Sequence, residues 1–121
     1  MLYAMNRIDA ITKIEASLKS CEPQVIAPKG RSYEEYVKQL SEQLLESVID
    51  PVLVEVTSTI IEGGDFESYK PATVWGIARI GINWLITIEG EPEFALAFGV
   101  DPLDLKMHGC SSSDVLAEWC S

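Results

Sequence analysis

The residues best suited to metal or thiol chemistry are few and badly spaced for it. His108 and Cys110 stand either side of Gly109, nine residues separate Cys110 from Cys120, and Cys21 lies far upstream. Zinc sites draw on C-x-x-C or H-x3–5-H pairs, and this H-x-C followed by a long gap matches neither. A Cys110 nucleophile with His108 as its base would need a third group to orient the imidazole. The neighbouring Ser111, Ser112 and Ser113 read as loop and helix cap. The plainer reading is thiols packed as small apolar groups, and a histidine favoured at a helix C-terminus by the dipole. No metal, cofactor or catalytic residue is expected.

Carboxylates are too abundant to be diagnostic singly. Glu89, Glu91 and Glu93 can share one side of a turn, but they lack the spacing of a calcium loop. Glu62-Gly63-Gly64-Asp65 has the glycines of a phosphate loop without the lysine, and its acids repel phosphate.

What the acids do together is more informative. Nineteen Asp and Glu face nine Lys and Arg, a net charge of -10. The first thirty residues hold three of the acids and four of the bases, so residues 31–121 carry sixteen acids against five bases, a net of -11. From Ser32 to Glu67 nine acids accompany one base, Lys38. Such a surface repels nucleic acid and favours fast, salt-sensitive encounter with basic surfaces. Acidity also serves solubility alone, and that alternative stands beside the functional one.

The elements that must carry these charges follow from the pattern. Asn6 caps a first helix, with Asp9 at the third helical position and Ile8, Ile11, Ile14 and Leu18 on one face. Pro23 to Gly30 is a loop. Ser32 and Glu35 make a capping box that opens a second helix, whose stripe is Tyr33, Tyr36, Val37, Leu40, Leu44 and Val48. Its acids, Glu34, Glu35, Glu42 and Glu46, fall mostly on the solvent side. Asp50-Pro51 is read as the stop.

Beyond Pro51 the texture becomes β-branched. Val52 to Ile61 predicts a strand, and Glu62 to Asp65 a turn. From Val74 to Ile88 every even position is apolar or Gly, which predicts strand with Gly81 as a bulge or break; a helix is the competing reading. The stretch from Ala72 to Ile88 is too short and too interrupted for a transmembrane helix. After the turn at Glu89 to Pro92, Phe94, Leu96 and Phe98 alternate. Asp101 to Gly109 predicts a short helix, and Ser113 the cap of a last one bearing Val115, Leu116 and Trp119.

The expected fold is α+β, a single domain over residues 1–121. Two N-terminal helices pack on an antiparallel meander of three or four strands, with short C-terminal helices. Odd, unpaired cysteines and an opening that lacks a leader pattern predict reducing, cytoplasmic surroundings. The expected function is that of a non-enzymatic acidic protein that binds a basic, nucleic-acid-handling partner, in effect a nucleic-acid mimic. Inhibitors of nucleases from phages, including those of CRISPR effectors, and immunity proteins of basic toxins are the analogies, on charge and size only. The expected contact residues are Glu34, Glu35, Glu42 and Glu46 on the second helix, and Glu62, Asp65 and Glu67 around the turn. Trp75 beside Arg79 is expected as an exposed interface anchor. The alternatives are a homodimeric accessory subunit, pairing by an edge strand or an apolar face near Trp75, and a small enzyme using carboxylates in a cleft.

Overall fold

The computed structural model describes residues 5–20, 25–59, 69 and 71–119, without the side chains of 58, 59 and 108–110. Helices α1 (Arg7–Ser20) and α2 (Tyr33–Glu46) come first. Strands β1 (Val48–Val54), β2 (Val56–Thr59), β3 (Val74–Ile80), β4 (Asn83–Ile88), β5 (Phe94–Phe98) and β6 (Leu105–Ser112) follow, and α3 (Val115–Trp119) ends the described chain. The class is α+β, as expected.

Both helix starts behave as the sequence reading predicts. Asn6 Oδ1 accepts from Asp9 N at 2.9 Å while Asp9 Oδ2 accepts from Asn6 N at 3.0 Å. Ser32 Oγ accepts from Glu35 N at 3.1 Å. These bonds satisfy backbone donors that the first helical turn leaves without partners.

The sheet is larger than the expected three or four antiparallel strands. Among the described residues six strands run in the order β1-β3-β4-β5-β6-β2, and the β2–β6 pair is parallel, so the sheet is mixed. β1 and β2 are consecutive pieces of one segment parted by Glu55, yet they hold opposite edges of the sheet. The sheet therefore curls until its edges meet. Glu55 fastens the seam: its N–H donates to Pro102 O at 2.9 Å, and its carbonyl accepts from Leu105 N at 3.0 Å.

Curling gives the sheet two buried faces. Inside lie Trp84, Ile86, Met107, Leu105 and Tyr69 with the small residues Ala95 and Ala97. Outside, Trp75, Ile77, Leu85 and Phe94 pack under the helices against Ile14, Leu44 and Leu116. α1 lies over β1, α3 over β5, and α3 touches both other helices. Ser17 stitches α1 to α3, because its buried hydroxyl donates to Ser113 O and accepts from Val115 N at 3.1 Å.

Three local expectations are corrected. α2 stops at Glu46, and β1 continues through Pro51, where its register on β3 slips between Val48 and Val52; an edge strand and a bulge both tolerate the missing donor. Asp101 to Asp104 forms a turn, with Asp104 N donating to Asp101 O at 2.9 Å, and residues 105–112 are strand rather than helix. Leu105 and Met107 are fully buried beside β5, so sheet pairing prevails over the Asp-Pro helix-start signal. Ser113 is likewise not the cap of α3: Asp114 Oδ1 accepts from Ala117 N at 3.1 Å. The stripe of α1 is also rotated from its expected line, for Ala10, Ile14 and Ser17 are buried while Ile8 is 75% exposed.

Candidate functional site: an acidic helix face and a cleft beside Lys13

α2 gives the core one fully buried side chain, Leu44, with Val37, Leu40 and Leu45 packed partly against it. Glu34, Glu35, Glu42 and Glu46 are all exposed. At about 100° per residue, Glu35, Glu42 and Glu46 fall within an arc of about 40°, opposite Leu44, and span about 16 Å. They form a stripe of carboxylates on the side of α2 turned from the core. Glu62, Asp65 and Glu67 lie outside the described residues, as do Cys21, Cys120 and the side chains of His108 and Cys110. Among the described residues no cluster of three or more His, Cys, Asp or Glu is placed to hold a metal ion. No helix among them is long and apolar enough to cross a membrane.

The Trp75–Arg79 pair is not an exposed anchor. Trp75 is 6% exposed, sits in the outer core, and donates from Nε1 to Glu89 Oε1 at 3.3 Å. Arg79 pairs instead with Trp84: its guanidinium carbon lies 4.4 Å from that ring's centroid, and Nε donates to Gly81 O at 2.7 Å. The cause is a bulge in β3 between Gly76 and Ala78. It changes which face each parity of side chain meets, so Trp75 and Arg79 point to opposite sides of the sheet.

Sequence reasoning missed a cleft of about 760 Å³ between α1 and the β4–β5 turn. Met5, Thr12 and Ala16 line one wall, Gly90 and Pro92 the other, and the charged groups are Asp9, Lys13, Glu89 and Glu91. The volume is of the order of small-ligand sites, though the cleft is open. Two of its three carboxylates have structural duties, since Asp9 caps α1 and Glu89 accepts from Trp75. Lys13 Nζ donates to Ile88 O at 2.9 Å and lies 5.9 Å from the Phe94 ring centroid. Burial lowers its pKa from the ordinary 10.5, against the opposing pull of Glu91 and Glu89. No signal in the sequence marks this lysine, because its partners lie at a turn distant along the chain.

A pH dependence follows from that lowered value. Above its folded pKa the amine is neutral in the native state while the unfolded chain still binds the proton, so stability rises with pH up to about 10.5. Lys13→Met removes this rise. Urea unfolding of both proteins at stepped alkaline pH checks it: the wild-type midpoint should gain on the variant's as pH increases. Parallel midpoints would show that burial does not weigh on this ammonium.

No family model, curated protein or solved structure matches this chain.

Proposed function

We propose that the chain is a non-enzymatic binding protein that sets an acidic surface on the cationic groove of a basic, nucleic-acid-handling partner. The observation that carries this reading is α2, which spends one face on Leu44 and turns Glu35, Glu42 and Glu46 outward along one line, with Gln39 and its partner Arg31 between the first two. The balance of -11 over residues 31–121 gives the same sign to the surroundings. Carboxylates aligned at near-helical rise offer a groove built for phosphates a similar row of negative charge. Inhibition would then be simple occupation of that groove, with no chemistry asked of the chain.

The test is capture of partners on the immobilised protein at low and then moderate salt, beside a Glu35→Gln, Glu42→Gln, Glu46→Gln variant. One basic protein should be retained at low salt and lost as salt rises. The triple variant should bind it about tenfold more weakly, since three exposed charge pairs at about 0.5 kcal/mol each come to about 1.5 kcal/mol. Binding that ignores both salt and the three substitutions would sink the proposal.

A further inference from the structure

α2 already holds a guanidinium on its acidic side, and that group comes from the chain itself. Pro28 to Arg31 form a turn, with Arg31 N donating to Pro28 O at 3.1 Å and Gly30 at φ 87°. The turn delivers Arg31 just ahead of the cap, Ser32, and its side chain reaches along the helix. Nη2 donates to Gln39 Oε1, and the guanidinium carbon lies 5.4 Å from the Tyr36 ring centroid. Gln39 is four residues beyond Glu35 and three before Glu42, so it neighbours both on the helix surface. Tyr36 and Gln39 are half-buried, while Arg31, Glu35 and Glu42 are exposed.

These groups are the ones that suit an arginine. The ring offers a face to the flat cation, the amide oxygen accepts an N–H, and the carboxylates on either side favour the charge. Gln39 lies beyond the first helical turn, where the positive end of the helix would disfavour a cation. The other charges on α2 are Glu34, Glu46 and its one base, Lys38, which stands about 100° round the helix from Gln39. Lys29 is the remaining base of the turn, and it is exposed.

We propose that Tyr36, Gln39, Glu35 and Glu42 form an arginine-binding site, covered by Arg31 in the free protein and taken over by an arginine of the basic partner. This rests on the reading of the chain as a binder of such a partner, and narrows that partner to one presenting arginine. Arg31 is the stand-in whose contacts show the chemistry the site accepts. Because the turn tethers it, it competes at high local concentration, and the partner meets an open site only part of the time. Exposed contacts of this kind hold weakly, so the cover lowers the partner's affinity by about fivefold at most. Lysine is a poorer occupant, since its compact ammonium neither lies flat on the ring nor forks between acceptors.

Fluorescence anisotropy of labelled nona-arginine and nona-lysine peptides, titrated with the full chain at low and moderate salt, tests this. The wild-type protein should prefer the arginine peptide, and Gln39→Ala should erase that preference. Arg31→Lys keeps the charge but loses the planar contact, and should tighten binding of the arginine peptide about threefold. Arg31→Ala, which also removes a charge, should tighten it about fivefold. Lys38→Ala removes an equal charge outside the site, and should tighten both peptides alike by less than about twofold. An Arg31→Lys protein that binds as the wild type does overturns the proposal. So does a gain from Lys38→Ala equal to that from Arg31→Ala, or equal affinity of the wild type for the two peptides. The triple glutamine variant of α2 separates this from the broader reading. If it binds both peptides as tightly as the wild type, the acidic stripe falls as well; if it binds weakly while Arg31→Lys changes nothing, only the arginine site falls.

Discussion

Trp84→Ala should lower the free energy of unfolding by about 3–5 kcal/mol, the range for removing a large aromatic from a closed core. Trp84 is 2% exposed and fills the space inside the curled sheet. Its Nε1 donates to Gly99 O at 3.0 Å, tying the loop after β5 to the core. Alanine leaves both a cavity and a carbonyl without that donor. Because whole domains are stable by only about 5–15 kcal/mol, such a loss approaches the point of unfolding. Urea denaturation followed by the fluorescence of the remaining tryptophans measures it. Arg79→Ala is the internal comparison. It removes a cation over the same ring from an exposed position, and should cost less than about 1 kcal/mol. Similar losses from the two variants would mean that Trp84 is not the plug described here.

The legible parts of this chain were those decided by neighbours in sequence. Asn6 with Asp9 and Ser32 with Glu35 announce helix starts because a cap needs only residues three apart. Residues 74–88 read as strand on their alternation, and Gly81, at φ 60°, makes the turn that parts β3 from β4. The illegible parts were those decided across the sheet. Alternation reports a buried face only where the other face is wet; here both are buried, so parity could not tell Trp75 from an exposed residue. The bulge after Gly76 compounds this, since Val74 ends inside and Ala78 outside although both are even-numbered. The Asp101-Pro102 start signal was overridden by burial of Leu105 and Met107, a tertiary effect with no local mark. At the candidate sites, the acids of α2 were visible as solvent-facing from helical periodicity alone. The cleft beside Lys13 depends on which strands become neighbours, and the sequence does not state that.

The close approach at Gly76 sets the second large effect. A Cβ on Gly76 would lie 2.9 Å from Trp84 Cε3 and 3.1 Å from Val54 Cγ1, inside the distances that packed carbons tolerate. Both neighbours are themselves buried, so neither can swing into solvent. Gly76→Ala should therefore destabilise by about 2–3 kcal/mol through overpacking, although alanine is otherwise the better residue for ordering a chain. The sign separates this from a backbone effect. Gly76 does not occupy the left-handed region, so without the clash the substitution would stabilise slightly. Relief should come from shortening a neighbour: in a Val54→Ala background the same change should cost about 1 kcal/mol less, a coupling that a double-mutant cycle reads directly. Additive losses would mean that the sheet relaxes around the methyl group elsewhere. Non-additivity would place β1 and β4 against opposite sides of one glycine in β3.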